Sequence, residues 1–529
     1  MKQFFYSLFM LLFLLACTNS EEFLESIAED AEELPVDPPK DDDTNDEEED
    51  DGEGDGSGDG EGDGSGDGEG DGSGDGEGDG SGDGEEDDAY YGEVKAFPSA
   101  EGAGAYSIGG RGGAVIPVTT LEDGNYEGTF RWALNQPYPR TIVFRVSGQI
   151  NLNSGIYISG PDKGYLTIAG QTAPEGGITI AGDYIYFNNM TDIILRHFRV
   201  RQGAGKSTDA ITVTGVRRFI ADHLSVSFGG DEAFSVTDGA QIVDDVTIQR
   251  CLFGESKTGN IIGANPSEGR ANNAGDFSFH HNMSVHISHR FPNTSGNGNY
   301  EIVNNVIHNW RYRLTRVVGE PNLNHINNYY SKGPATQSRI NTIMNKITIS
   351  NGVVPRIYTA GNLVLPNTLT DASADNWFTW TVFVNSGNYT QNDPAPSNMQ
   401  VANAHSPLGV PVTLQSARNA YQSVLSDVGA NKRLLGDGSV EENLDDLDRQ
   451  YIQDVKNQTG PSTYRSSDQW IYPTLRSGTP YQDTDLDGMS DDWEIAKGLD
   501  PRNPEDRNGD KNGNGFTNLE DFLNRIDLQ

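Results

Sequence analysis

The sequence predicts an all-β chain built on a right-handed parallel β-helix, followed by a small EF-hand-like calcium-binding module. Three observations predict it. Short apolar, strand-like runs begin at Asp192, Phe219, Asp245, Phe277, Tyr300 and Leu323, at intervals of 27, 26, 32, 23 and 23 residues. That spacing suits stacked coils, each too small to bury its own apolar face; a β-sandwich would bring strands about every 8–12 residues. Asn282, Asn305 and Asn328 fall at the same place after three of the runs, where asparagine tolerates bent backbone and stacked amides can bond up a column. Finally, Asp483 to Glu494 matches the twelve-residue calcium loop at each side-chain position.

The chain begins as an export signal over residues 1–17. Lys2 is followed by an apolar run from Phe4 to Leu15, too short for a membrane span of about 20 residues. It ends Leu14-Leu15-Ala16-Cys17, which resembles a bacterial lipobox and makes Cys17 the expected lipidation site and membrane anchor. Ser20-Glu21-Glu22-Phe23 resembles the surface-export signal of Bacteroidetes lipoproteins, so the expected location is the outer membrane, at the cell surface or secreted. Residues 18–89 cannot bury a core. Of the formal net charge of −42, about −32 lies between Glu21 and Asp88, and from Asp51 an eight-residue Asp/Glu/Gly/Ser unit repeats four times. Glycine lowers stiffness while like charges repel, which predicts an extended, solvated tether and excludes nucleic acid as its partner. Of the two cysteines, Cys251 lies in an apolar run; it is expected in the core, without a disulfide.

Residues 90–475 form the predicted β-helix domain, with little helical periodicity before Leu414. Common catalytic signatures are absent there. Gly109-Gly-Arg-Gly-Gly113 lacks the setting of a phosphate loop and reads as tight turns. His280 and His281, adjacent in a strand, are expected to face opposite sides. Asp244-Asp245 reads as a solvated pair and Asp222-His223 as structural.

One set of motifs is specific as a series. Ala96–Tyr106, Gly109–Gly113 and Ile142–Ile150 are followed by Ile194-Ile-Leu-Arg-His197, Ala221-Asp-His223, Val246-Thr-Ile248, His280-His-Asn282, Arg290-x-Pro292 and Val303-Asn-Asn305. In this order they resemble the pectate lyase family, polysaccharide lyase family 1, the first three looking like its opening coils. The resemblance implies cleavage of a uronic-acid polymer, polygalacturonate or pectin, by calcium-assisted β-elimination to 4,5-unsaturated oligogalacturonides. It implies Arg290 as the base, Lys257 as a substrate-binding cation, and Asp209, Asp231 and the adjacent Glu232 as oxygen ligands of a catalytic calcium ion. An arginine base strains the rule that arginine stays protonated, and neighbouring positive charge would have to favour its neutral form. Two acidic positions of the pattern are Ser207 and Ser235 here, and an arginine five residues past the base is Ser295; Asp238 is a candidate substitute. A calcium-independent pectin lyase, a hydrolase using two carboxylates and a non-catalytic glycan-binding protein therefore remain open alternatives.

Residues 480–529 form the predicted calcium module. In the first loop Asp483, Asp485, Asp487, Asp491 and Glu494 supply carboxylates and Met489 a backbone carbonyl. A second copy offers Asp510, Asn512, Asn514, Asn518 and Asp521, with the Phe516 carbonyl; its amides lower the charge. The pair resembles the dockerin-like and thrombospondin-type tails of secreted glycan-degrading enzymes, which implies a possible protein partner. The enzyme is expected to work as a monomer.

Overall fold

The computed structural model describes residues 94–528, apart from 240, 264–273, 337–343, 350–352, 384–387, 464 and 466. Cys17, the tether and residues 90–93 lie outside the described residues. Among them no helix is long and apolar enough to cross a membrane.

From Arg140 to Val382 the chain winds through nine coils, each giving one strand to each of three parallel sheets. The first sheet carries a tenth strand, Ala114–Val118, at its N-terminal edge. The six runs singled out in the sequence all fall in this sheet, in the strands Thr191–Arg196, Arg217–Asp222, Asp244–Gln249, Asp276–His280, Asn299–Val303 and Asn322–Ile326. Alternation explains their apolar character. Ile142, Ile168, Leu195, Ala221, Ile248, Phe279 and Ile302 pair in register from coil to coil and point into one buried core.

From Thr191–Arg196 onward, each first-sheet strand ends in a sharp corner built on left-handed backbone. His223, His281, Asn304 and Asn327 occupy it at φ 53°, 54°, 56° and 55°. The next residue turns inward, and there the asparagines stack. Asn282 Nδ2 donates to Asn305 Oδ1 at 3.1 Å, Asn305 to Asn328 at 2.9 Å, and Asn328 to Asn362 at 2.9 Å. Cys251 continues the column: its N–H donates to Asn282 Oδ1 at 2.8 Å while its Sγ accepts from Leu224 N–H at 3.4 Å. It is buried and free, and burial pushes its thiol pKa up.

Two expectations need correction. Ala96–Tyr106 is not a coil. It lies against the outside of the first sheet, where Gly104 N–H donates to Thr247 Oγ1 at 2.9 Å and Ala103 N–H to Ser278 Oγ at 3.1 Å. A Cβ on Gly104 would stand 2.1 Å from the Phe219 carbonyl oxygen, so the close approach requires glycine. His280 and His281 do not face apart either. The left-handed turn at His281 breaks the alternation and brings their Nδ1 atoms to 3.0 Å.

The second sheet is covered by the helices Ala417–Ser426 and Asp446–Asn457, which share an apolar cluster with Met283, Val306 and Tyr329. Buried ion pairs from Arg201 to Asp445 and Asp448, at 2.6 and 3.0 Å, fix the second of these helices. The third sheet is left to carry the site.

Candidate active site

Asp209, Asp231, Lys257 and Arg290 stand 22, 26 and 33 residues apart in sequence, close to the coil period. Each lies in the turn just before a third-sheet strand, the strands being Ile211–Thr214, Glu232–Thr237, Thr258–Gly263 and Asn293–Gly296. Parallel stacking at about 4.8 Å per coil turns that sequence spacing into adjacency. Oxygens of Asp209, Asp231 and Glu232 approach within 4.8 Å of one another. Asp209 accepts from Glu232 N–H at 3.2 Å and from Thr212 Oγ1 at 3.1 Å. Arg290, in left-handed backbone at φ 73°, reaches back two coils so that its Nη1 pairs with Glu232 Oε1. Its side chain keeps 23 % exposure, while that of Glu232 keeps 4 %. Lys257 is 69 % exposed and lies 3.6 Å from Asp231 Oδ1.

Burial pushes Asp209 up to about 6 against the pull of Ser235, Thr212 and Arg290, and burial also raises Asp231 against Arg290 and Lys257. Three carboxylates brought together away from water form an all-oxygen set that suits a hard divalent cation. Of the neutral positions, Ser235 is buried and pairs in register with Thr212, and Ser207 is exposed. Ser295 lies opposite Val318 of the next coil. Asp238 is no substitute ligand, because it follows the far end of Glu232–Thr237, roughly 20 Å along the strand from Asp231. Beyond Arg290 the sheet turns basic. Arg316 and Lys346 continue the register of Asn293, and the guanidinium groups of Arg313 and Arg316 lie over the Phe383 ring at 4.8 and 4.4 Å. Nothing in the sequence set these cations apart from ordinary strand-face residues.

The chain is 32 % identical over 444 residues to a protein of Aspergillus flavus named probable pectate lyase C, spanning 82 % of this chain and 94 % of that protein. A protein of the same name from Aspergillus oryzae is 32 % identical over 440 residues, with the same coverage. The chain belongs to the pectate lyase family. As a family member it is a lyase. No family model matches the chain. Among solved structures, the cedar pollen allergen jun a 1 aligns with a TM-score of 0.47 and 17 % identity over 65 % of this chain and 98 % of that one.

In this pectate lyase family member a second acidic site lies in the C-terminal segment. The structure brings together Asp483, Asp485 and Asp487, and joins Asp487 to Glu494 and to Asp506, a residue sequence reasoning passed over because it lies outside the loop. Asp491 turns away: its carboxylate accepts from Thr484 N–H at 2.8 Å and from Gln482 Nε2 at 2.7 Å. Gly488, at φ 93°, makes the loop's sharp turn and donates its N–H to Asp483 Oδ2 at 3.2 Å. Met489 is wholly buried beneath it. Both oxygens of Glu494 and of Asp485, with Asp487 Oδ2, Asp483 Oδ1 and Asp506 Oδ1, are buried without a hydrogen-bond partner. Burial and the crowding of like charges push Asp487 up to about 7 and Glu494 up to about 8. Unpaired buried carboxylate oxygens are costly, and a calcium-sized cation at their centre would satisfy them.

The second loop closes on itself. Asp510 accepts from the backbone N–H groups of Gly513, Asn514 and Gly515 at 2.7, 3.1 and 2.9 Å. Asn512 and Asn514 donate their amides to Asp521. Asn518 Oδ1 accepts from Lys511 N–H at 3.0 Å, and Phe516 N–H donates to Asn514 Oδ1 at 2.9 Å. Its carboxylates are thus already matched by donors within the loop.

Proposed function

We propose that the enzyme cleaves polygalacturonate or low-ester pectin by calcium-assisted β-elimination, leaving 4,5-unsaturated oligogalacturonides. The observation that carries this reading is the meeting of Asp209, Asp231 and Glu232 with Arg290 on one face of the β-helix. The hard part of the reaction is the charge that spreads onto the substrate carboxylate when the C5 proton leaves. Calcium, when bound by Asp209, Asp231 and Glu232, supplies positive charge to that carboxylate. Neutral Arg290 takes the C5 proton, the C4–O bond breaks, and the departing sugar oxygen is protonated from solvent. To act as base the Arg290 side chain must first leave its ion pair with Glu232 and release a proton to solvent. Lys257 steadies the uronate from the exposed side.

The enzyme works outside the cell, anchored through Cys17 on the tether of residues 18–89. The composition of that tether and the lipobox-like Leu14–Cys17 support this setting. A second calcium ion at Asp483, Asp485, Asp487, Glu494 and Asp506 is structural.

Residues 90–529, incubated with polygalacturonate and calcium, should release an ultraviolet-absorbing product, and a chelator should suppress it. Absence of such a product from every uronic polymer tried would sink the reading. Chelator-insensitive product from methyl-esterified chains only would replace it with a pectin lyase.

A further inference from the structure

The third sheet extends past the acidic cluster toward the N-terminal end of the β-helix, and its outward column changes character there. Tyr157, Tyr186, Thr212 and Ser235 pair one after another in successive coils. Thr212 donates to Asp209 and pairs with Ser235 of the next coil, so the column runs from two tyrosines straight into the candidate active site. At about 4.8 Å per coil, Tyr186 and Tyr157 lie roughly 5 and 10 Å beyond Thr212, a step comparable with the length of one sugar residue.

Tyr157 is 53 % exposed, the most exposed aromatic side chain among the described residues. Its ring meets that of Tyr186 edge to face, with centroids 5.0 Å apart and planes at 79°. Both phenols are pinned from the neighbouring outward column. Asn188 Nδ2 donates to Tyr157 Oη at 2.7 Å and to Ser159 Oγ at 3.0 Å. Tyr186 Oη is hydrogen-bonded to Thr214 Oγ1 at 3.1 Å. A ring held at its hydroxyl keeps its orientation without a ligand, so little rotamer freedom is lost when something stacks on it.

We propose that Tyr157 and Tyr186 form a sugar-stacking subsite of the same cleft, taking the apolar ring face of a uronate residue two to three units from the bond that is cut. This rests on the function proposed above and names how the polymer is held away from the reacting sugar. The flanking Ser159, Asn188 and Thr214 offer neutral hydroxyl and amide groups at the height of sugar hydroxyls. Two rings are far too small an area for a protein interface. They suit a pyranose, whose C–H face is apolar and whose rim is polar.

The test compares Tyr157→Ala, Tyr186→Ala and Tyr157→Phe with the wild type. On polygalacturonate the alanine variants should show a KM raised about threefold to tenfold, with kcat within about twofold, and Tyr157→Phe, which keeps the ring but loses its pin, should fall between them and the wild type. On a trimer too short to span from Arg290 to Tyr157, Tyr157→Ala and the wild type should have the same KM. An unchanged KM on polymer, or the same loss on trimer, overturns the subsite. Absence of product from the wild type overturns the functional reading instead. Binding then decides the subsite by itself, through native electrophoresis in gels containing polygalacturonate. Retardation of the wild type but not of Tyr157→Ala supports it, and equal migration overturns it.

Discussion

At Arg290 two demands compete, since the guanidinium pairs with the buried Glu232 carboxylate and the proposed chemistry asks it to accept a proton. Lysine at this position would keep a cation beside Glu232 but lose the planar fork that lets one nitrogen pair while another faces the substrate. Arg290→Lys should therefore lower kcat by about 10²–10⁴-fold while the denaturant midpoint stays within experimental error. Turnover within tenfold of the wild type would remove Arg290 from the role of base. His223 makes a separate, structural prediction. Its Nδ1 lies 2.9 Å from Asp222 and its Nε2 lies 3.2 Å from Asp427, with the His197 ring stacked at 4.7 Å. Burial pulls the imidazole down, but Asp222 and Asp427 outweigh it and raise it to about 9. Arg196, Lys432 and Arg250 complete the surrounding charges by pairing with the same two aspartates. The folded protein thus holds a proton that the unfolded chain releases near pH 6.5. The contribution is fully present below that pH and is lost as pH rises through 9; about 3 kcal/mol is involved. Denaturant unfolding at pH 6, 8 and 10 should show stability falling with pH in the wild type, and a flatter curve in His223→Gln. The structure brings together Asp209, Asp231, Glu232 and Arg290, which were all legible as candidate site residues through the family resemblance. The Arg290–Glu232 pair was not, because it joins residues 58 positions apart that only coil stacking brings within reach.

The asparagine column is the element most legible in advance, because its members repeat at the coil period and their amides can bond from coil to coil, although the bent corner itself falls one residue earlier. Asn305 shows what the column does. Its Nδ2 donates to Phe279 O and to Asn328 Oδ1, each at 2.9 Å, while its Oδ1 accepts Asn282 N–H at 3.0 Å and Asn282 Nδ2 at 3.1 Å. Alanine there would strand several buried partners, each costing about 1–3 kcal/mol when left unpaired. Asn305→Ala should lower unfolding stability by about 3 kcal/mol or more, measured by denaturant titration; a loss under about 1 kcal/mol would show that the column relaxes around the gap. Elsewhere alternation misled. It placed His280 and His281 on opposite faces, because nothing in the pair announces the left-handed turn at His281. The Ala96–Tyr106 segment carries the glycines of a close approach, but those glycines do not say which surface is approached. The clustering of Asp483, Asp485, Asp487 and Glu494 was legible from their spacing, whereas Asp506 was not, being delivered by chain folding from beyond the loop.

On the scale of the whole molecule, the C-terminal segment is joined to the β-helix by core packing. Met489, Trp493, Leu519 and Phe522 share an apolar cluster with Val143 and Ala169 of the first sheet. Arg111 Nε pairs with Glu520 at 2.8 Å and Arg196 Nη2 with Asp527 at 2.6 Å. Arg145, stacked on Tyr481 at 4.7 Å, lies 3.6 Å from Asp483 of the acidic loop. A cation that binds only the folded loop should therefore stabilise the β-helix as well, by about 2.7 kcal/mol at a hundredfold excess over Kd. Calcium added to metal-free protein should raise Tm by several degrees. Glu494→Gln should abolish most of that increment, and Asp209→Asn should leave most of it. An increment that survives Glu494→Gln would place the stabilising ion elsewhere. The repeat period, the asparagine positions, the loop spacing and the family motifs were determined by the sequence itself, because each depends on residues close together or recurring at one interval. Tertiary structure alone decided that Arg290 pairs with Glu232, that Asp506 replaces Asp491 beside Glu494, and that Tyr157 and Tyr186 stand in one column with Thr212. Each joins side chains from different coils or loops, and their meeting is set by stacking register and packing.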